Sequence, residues 1–226
     1  MSRAFNLFLH LTGFTLRFKP SGEKDVRCQI TMIANISKLL NDIEFGAVFD
    51  AFEAAKKIAN NALSHKDIDE LARVAFNGNE IHNKESAAYA ISWIENRDSA
   101  LSILINLLAT SDIHEDVRGQ AAEGIGIKKP SSKNKHRQLA ETTLLKSLAD
   151  ASPVVRFWSC YAAGQIKMKN ALPILRELKA NDHEVCPGWW YVSEEAEDAI
   201  EWINGRDGKN RVPVNNRKGT EPSHRL

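Results

Sequence analysis

"VRGQAAEGIG", residues 117–126, returns 38 residues later as "VRFWSCYAAG", residues 155–164. A unit of this length cannot bury an apolar face by itself, so recurrence at this spacing demands an array of stacked copies. Val117-Arg118 pairs with Val155-Arg156, Ala121-Ala122 with Ser159-Cys160, and Gly126 with Gly164. At an offset of 34, "NKESAAYAIS" (83–92) falls into the same frame, with Ala87-Ala88 at the small pair. Further on, "VSEEAEDAIE" (192–201) fits through Ala196, Ala199 and Ile200, which makes four copies.

Each copy follows a leucine-rich segment: residues 67–76, 100–109, 141–149 and 171–180. Apolar residues there recur at steps of three and four, the helical period. Turn-formers separate the segments, among them Asn77-Gly78, Asp112, "KKPSSKN" (128–134) and Ser152-Pro153. Pro153 and Pro173 suit the first turn of a helix, where a missing amide proton costs nothing. No strand alternation competes between residues 30 and 204, so the expected fold class is all-α, with about four helical hairpins over 66–204. Helical runs within 28–65 are expected to cap the first end of the array. Residues 1–27 read as an arm of uncertain structure, and 205–226, polar and basic without periodicity, as a disordered tail.

An Asp, then Val-Arg, two small residues and a Gly closing the second helix resembles HEAT repeats, and the short period resembles the HEAT-like subclass first associated with phycobilisome lyases. The likeness covers roughly residues 66–204. It is weaker in the first copy, where Asn83-Lys84 replaces Val-Arg, and degenerate in the fourth. It implies a right-handed α-α superhelix of a kind that mostly binds other proteins.

Counting 100° per residue from Val155 places Val155, Ser159, Ala163 and Ile166 on one arc, with Cys160 at its edge. Val117, Ala121, Ala122 and Ile125 fill the same arc one copy earlier, which is the core face. Arg118 and Arg156 resemble the HEAT arginines that reach an Asp or a carbonyl in the adjoining turn, and Asp112, Asp116 or Asp150 are candidate acceptors. The HEAT-repeat di-iron hydroxylases carry His-Glu pairs directly after the Val-Arg-like position. Here those places hold Gly119-Gln120 and Phe157-Trp158, while His114-Glu115 and His183-Glu184 lie in turns. No metal, cofactor or catalytic residue is expected.

Opposite the core arc lies a candidate partner-binding stripe: Tyr89 and Trp93 in the first copy, Gln120 and Glu123 in the second, Trp158, Tyr161 and Gln165 in the third. Large aromatics anchor interfaces, but neighbouring second helices touching sideways would bury the same rings, and both readings stand. Trp189 and Trp190 in the loop before the last helix are a second partner-binding candidate, beside the ordinary role of covering the end of the array. Trp202 fits that covering role, and the acids at 194–198 suit a helix N-terminus.

Charge narrows the partner. The ends are basic, while residues 28–204 carry 19 basic and 25 acidic groups, a poor match for a phosphate backbone. Nucleic acid is therefore disfavoured outside the tail. Three cysteines without CxxC spacing point to a reducing compartment, the cytoplasm. No apolar run is long enough to span a membrane, and His10, Arg17 and Lys19 interrupt or closely follow the apolar start, against a secretory leader. The leading expectation is a non-enzymatic, cytoplasmic scaffold or adaptor that binds a protein on its concave face, with the oligomeric state open. The alternatives are a bilin-handling protein like the phycobilin lyases, for which Cys186 is the one cysteine off the core arc, and a toxin-neutralising immunity-type binder.

Overall fold

The computed structural model describes residues 25–95 and 97–217. Most of the arm expected at 1–27 and the tail residues 218–226 therefore lie outside the described residues. Among the described residues ten α-helices follow one another: α1 Asp25–Phe45, α2 Val48–Ile58, α3 His65–Asn77, α4 Ile81–Trp93, α5 Arg97–Ala109, α6 Glu115–Lys128, α7 Arg137–Ser147, α8 Pro153–Gln165, α9 Leu172–Asn181 and α10 Val192–Ile203. Among the described residues the extended structure amounts to one isolated antiparallel bridge, Val185 to Tyr191. None of these helices is long and apolar enough to cross a membrane.

Local signals set the helix boundaries. Ser64 and Asp67 close a capping box on α3, with Ser64 N–H donating to Asp67 Oδ2 at 2.8 Å. Ser152 caps α8 ahead of Pro153. At the end of α6 the chain leaves the helix through Lys129 in the left-handed region, φ 44°.

The helices pair as hairpins α3–α4, α5–α6, α7–α8 and α9–α10, the four expected units, and α1 and α2 pack before the first. The second helices α4, α6, α8 and α10 form a row in which each touches the next. A helix between two such neighbours and its own first helix has little free surface. Ten of the fourteen residues of α6 are buried, polar Gln120 and Glu123 among them. The core arc is as expected: Val155, Ser159, Cys160 and Ala163 are wholly buried and Ile166 nearly so.

The small residues allow the row to close up, but not only against the hairpin partner as the wheel implied. A Cβ on Gly126 would lie 2.9 Å from Tyr161 Cε1 and 3.0 Å from Ala162 Cα, both on the next second helix. A Cβ on Gly164 would lie 2.6 Å from Trp202 Cε3 and 2.9 Å from Ala199 Cα. These glycines set the spacing along the row.

The arginines knit one repeat to the next. Arg118 Nε donates to the Ile113 carbonyl at 3.0 Å, and its guanidinium pairs with Asp150 of the following hairpin. Asp112 and Asp116, the other candidates, do not take it. Arg156 donates to the Asp150 and Ala151 carbonyls at 2.7 and 2.9 Å and pairs with Asp182 and Glu184. In the first copy the corresponding turn is held by Asn83, whose amide donates to the Ile43 carbonyl in the last turn of α1 and to the Gly46 carbonyl just after it.

Residues 205–217 correct the expectation of a disordered tail. They fold back on α10, where Lys209 N–H donates to Asp198 at 2.9 Å and Val214 N–H to the Trp189 carbonyl at 2.9 Å. Arg211, its side chain 7% exposed, pairs with Asp198, Glu197 and Glu194. The basic residues that made the segment look solvated are the complement of the acids on α10.

Candidate functional site

Three positions recur on the outward side of the second helices. Counted in the repeat frame they are Ser86, Gln120, Trp158 and Glu195; Tyr89, Glu123, Tyr161 and Asp198; and Trp93, Ile127, Gln165 and Trp202. Where the last copies meet, these positions enclose a pocket of about 620 Å³, within the size range of small-molecule and side-chain sites. All five tryptophans of the chain line it: Trp93, Trp158, Trp189, Trp190 and Trp202. Glu123, Ile127, Phe157, Tyr161 and Gln165 add to the wall, and the segment after α10 closes it through Arg211, Pro213 and Asn216.

The loop between α9 and α10 folds in by a tight turn. Trp189 N–H donates to the Cys186 carbonyl at 2.9 Å across Pro187-Gly188, and Gly188 takes φ 86°. Pro followed by a left-handed Gly is the signature of a type II turn. The turn lays Trp189 edge to face on Trp158, ring centres 5.3 Å apart, and 6.1 Å from Phe157. Trp158 meets Tyr161 at 5.7 Å, and Tyr161 meets Trp202 at 5.9 Å, both edge to face.

Of the expected stripe, Trp93, Glu123, Trp158, Tyr161 and Gln165 come together here, joined by Trp189 and Trp190, which the sequence placed on a separate loop. Tyr89 does not join them in the pocket wall. It is 8% exposed and packs on Phe52 of α2 at 5.1 Å, so the sideways-packing alternative holds at that position. Gln120 is buried, its amide donating to Glu123 Oε2 at 2.7 Å, and it faces a narrower cleft with Glu85 and Asp116. Glu195 and Asp198, read from the sequence as helix-start acids, and Trp202, read as an end cover, also line the wall. Carrying the register one copy further, to 195, 198 and 202, would have found them.

The carboxyls divide into two kinds. Burial pushes Glu123 up to about 7 against the pull of the Gln120 amide, and burial with the neighbouring Asp198 pushes Glu195 up to about 8. Glu85 rises to about 8, from burial and then from Asp116 and Glu123. Glu197, facing outward, is pulled down to about 2 by its hydrogen bonds to Lys209 and Arg211.

Among the described residues the pocket wall holds no cysteine, histidine, serine or threonine. Cys160 and Cys186 are buried, and burial pushes both thiols up, so neither offers a reachable thiolate for a bilin. His114 caps α6, its Nδ1 accepting from the Asp116 N–H at 3.2 Å, and Glu184 belongs to the Arg156 cluster. Among the described residues no group of three or more His, Cys, Asp or Glu is placed to hold a metal.

No curated protein sequence matches the chain significantly. Solved structures similar at low identity include two helical-repeat proteins. A computationally designed armadillo repeat protein for modular peptide recognition shares 20% identity over 78% of this chain and 94% of that one, with a TM-score of 0.44. Human deoxyhypusine hydroxylase in complex with glycerol shares 14% over 78% and 88%, with a TM-score of 0.39. Residues 111–186 match the family of HEAT repeats, and helical hairpins of the same form pack on either side of that stretch, so the described chain is an all-α array of HEAT-like hairpins.

Proposed function

We propose that the protein is a binding module rather than an enzyme, and that its ligand is a segment of a partner protein seated across the second-helix row at the aromatic pocket. One observation carries the reading: every tryptophan of the chain converges on a single pocket, although three separate elements beyond the repeat helix α8 deliver them. Covering the end of the array accounts for Trp189, Trp190 and Trp202 but not for Trp93 on α4. Trp93 is 47% exposed at the rim, and partly exposed aromatics around a buried centre are how protein interfaces concentrate binding energy. Two buried, unpaired cysteines fit a reducing compartment, the cytoplasm.

The test is to pan a random linear-peptide library against the intact protein. Enriched peptides should compete with one another and lose at least about tenfold in affinity on Trp93→Ala, with helical circular dichroism unchanged. No enrichment, or peptides indifferent to Trp93, would overturn the reading.

A further inference from the structure

Beneath its aromatic lining the pocket has an unbalanced charge. Glu123, Glu195, Asp198, Lys209 and Arg211 all contribute to the wall. Both cations are engaged: Arg211 donates to Asp198 at 2.5 and 3.0 Å, to Glu197 at 2.8 Å and to Glu194 at 3.2 Å, and Lys209 Nζ donates to Glu197 at 2.7 Å. Asp198 is taken up by the same guanidinium and by the Lys209 N–H. That leaves Glu123 and Glu195, neither of which hydrogen-bonds a cationic side chain. Glu123 Oε2 accepts from Gln120. Glu195 Oε2 accepts from the Trp190 indole N–H at 2.9 Å, while its Oε1, on a residue 1% exposed, has no hydrogen-bond partner. A buried carboxyl oxygen with no donor is costly and calls for an explanation.

We infer that the pocket takes an organic cation, the ammonium or guanidinium head of a lysine or arginine side chain on the bound segment, held between the tryptophan rings and the Glu123 and Glu195 carboxylates. The inference rests on the binding reading above and adds the chemistry of the occupant. Ring faces attract cations, most strongly where water is excluded, and a cation supplies the charge the two glutamates lack. A neutral apolar occupant would leave Glu195 as it is. An anion would meet two carboxyls and no uncommitted donor of positive charge.

The surroundings fix the sign of the pH response. Around Glu195 stand Asp198 on α10, Arg211 from the following segment, Trp190 and Cys186 from the loop, and Cys160 on α8. Around Glu123 stand Gln120 on α6, Glu85 and Tyr89 on α4, Tyr161 on α8 and Cys186. With the two carboxyls at about 7 and about 8, a bound cation favours their charged forms. Binding therefore releases protons and strengthens as pH rises through that range, in which lysine and arginine stay charged.

The test is tryptophan fluorescence with four probes: the blocked tripeptides Gly-Lys-Gly, Gly-Arg-Gly and Gly-norleucine-Gly, and free n-butylammonium. One of the basic tripeptides should bind at least roughly tenfold tighter than the norleucine peptide, and tighter at pH 9 than at pH 6. Glu195→Gln should erase that preference, and Glu123→Gln should weaken it, so the test survives if one variant fails to fold. Equal affinity for norleucine, or no pH dependence, overturns the cation. Butylammonium matching the tripeptides would assign the site to a free amine and overturn the side-chain source, whereas weaker butylammonium binding supports a protein segment. Library peptides that bind without a basic residue would sink the cation and leave the binding reading standing. Tight tripeptide binding with an unenriched library would retain the cation and sink the extended segment.

Discussion

Tyr89 on α4 and Tyr161 on α8 occupy the same place in their repeats, yet one is sealed and the other lines a pocket. Tyr89 is 8% exposed beneath Phe52 of α2, which closes the first end of the row. Tyr161 stands beside α10, where Trp202 meets it edge to face while the α9–α10 loop and residues 209–216 form the remaining wall. The repeat register decides which way a side chain leaves its helix. Whether that direction leads to packing or to a cavity is decided by what the next element brings. At the first end a capping helix fills the space, and at the last end a loop and a returning segment enclose it.

The largest expected effect tests the sealed end. Tyr89→Ala removes a buried ring and should lower unfolding stability by about 3 kcal/mol, seen as an earlier denaturant midpoint, while basic-tripeptide affinity, reached only through the contact of Tyr89 with the Trp93 ring at 6.2 Å, falls by less than on Tyr161→Ala. Tyr161→Ala should reverse the pattern, with the smaller stability loss and the larger binding loss. If Tyr89→Ala abolished binding and left the midpoint alone, the two ends would not differ as described.

The repeat made the helices, their pairing and the core arc legible, because helical burial is local and periodic. Arg118 and Arg156 were legible as ties, but their carboxylates belong to the following turns, at Asp150 and Asp182, and the repeat pattern alone does not say how far an arginine reaches along the array. The pocket was only half legible. Trp158, Tyr161 and Trp93 follow from the register, but Trp189 arrives by a Pro-Gly turn and Arg211 by a segment with no period. The basic composition after residue 205 looked like solvation because its acidic complement on α10 was credited to the helix dipole. Charge pairing between segments lies outside what a periodic pattern encodes.

The spacing of the row offers a smaller lever on the same contrast. At the last end Gly164 lies against α10, and an added Cβ would press on Trp202 at 2.6 Å and on the Ala199 backbone at 2.9 Å. The ring has the pocket to move into but the backbone does not, so Gly164→Ala should cost about 2 kcal/mol and shift the tryptophan emission maximum. At the other end the matching position is Ser92, buried against α6 with its hydroxyl donating to the Ala88 carbonyl at 2.9 Å. Ser92→Ala should therefore leave the emission unchanged. Equal shifts in both variants would mean that the pocket is not a local property of the α8–α10 joint.

The most specific effect is electrostatic. In the register, Glu195 stands where Ser86 stands at the first end, and a buried acid carries a pH signature that a serine cannot. The unfolded carboxyl titrates near 4.5, whereas the folded one holds its proton up to about 8. Between those values the folded state binds the extra proton, so this group makes stability fall as pH rises from 4.5 to 8 and level off above. Gln cannot ionise, and its amide oxygen can still accept from Trp190. Glu195→Gln should therefore match the parent near pH 4 and exceed it at pH 8.5 by on the order of 2 kcal/mol. Glu197, two residues along the same helix, has the opposite sign: held at about 2 by Lys209 and Arg211, it adds stability above pH 4.5 that is lost as the pH falls toward 2. Thermal midpoints of the two glutamine variants from pH 3 to pH 9 should thus diverge in opposite directions. A Glu195→Gln midpoint below the parent at pH 8.5 would make this carboxylate a compensated structural partner of Trp190, and the last end would then hold no spare negative charge to set it apart from the first.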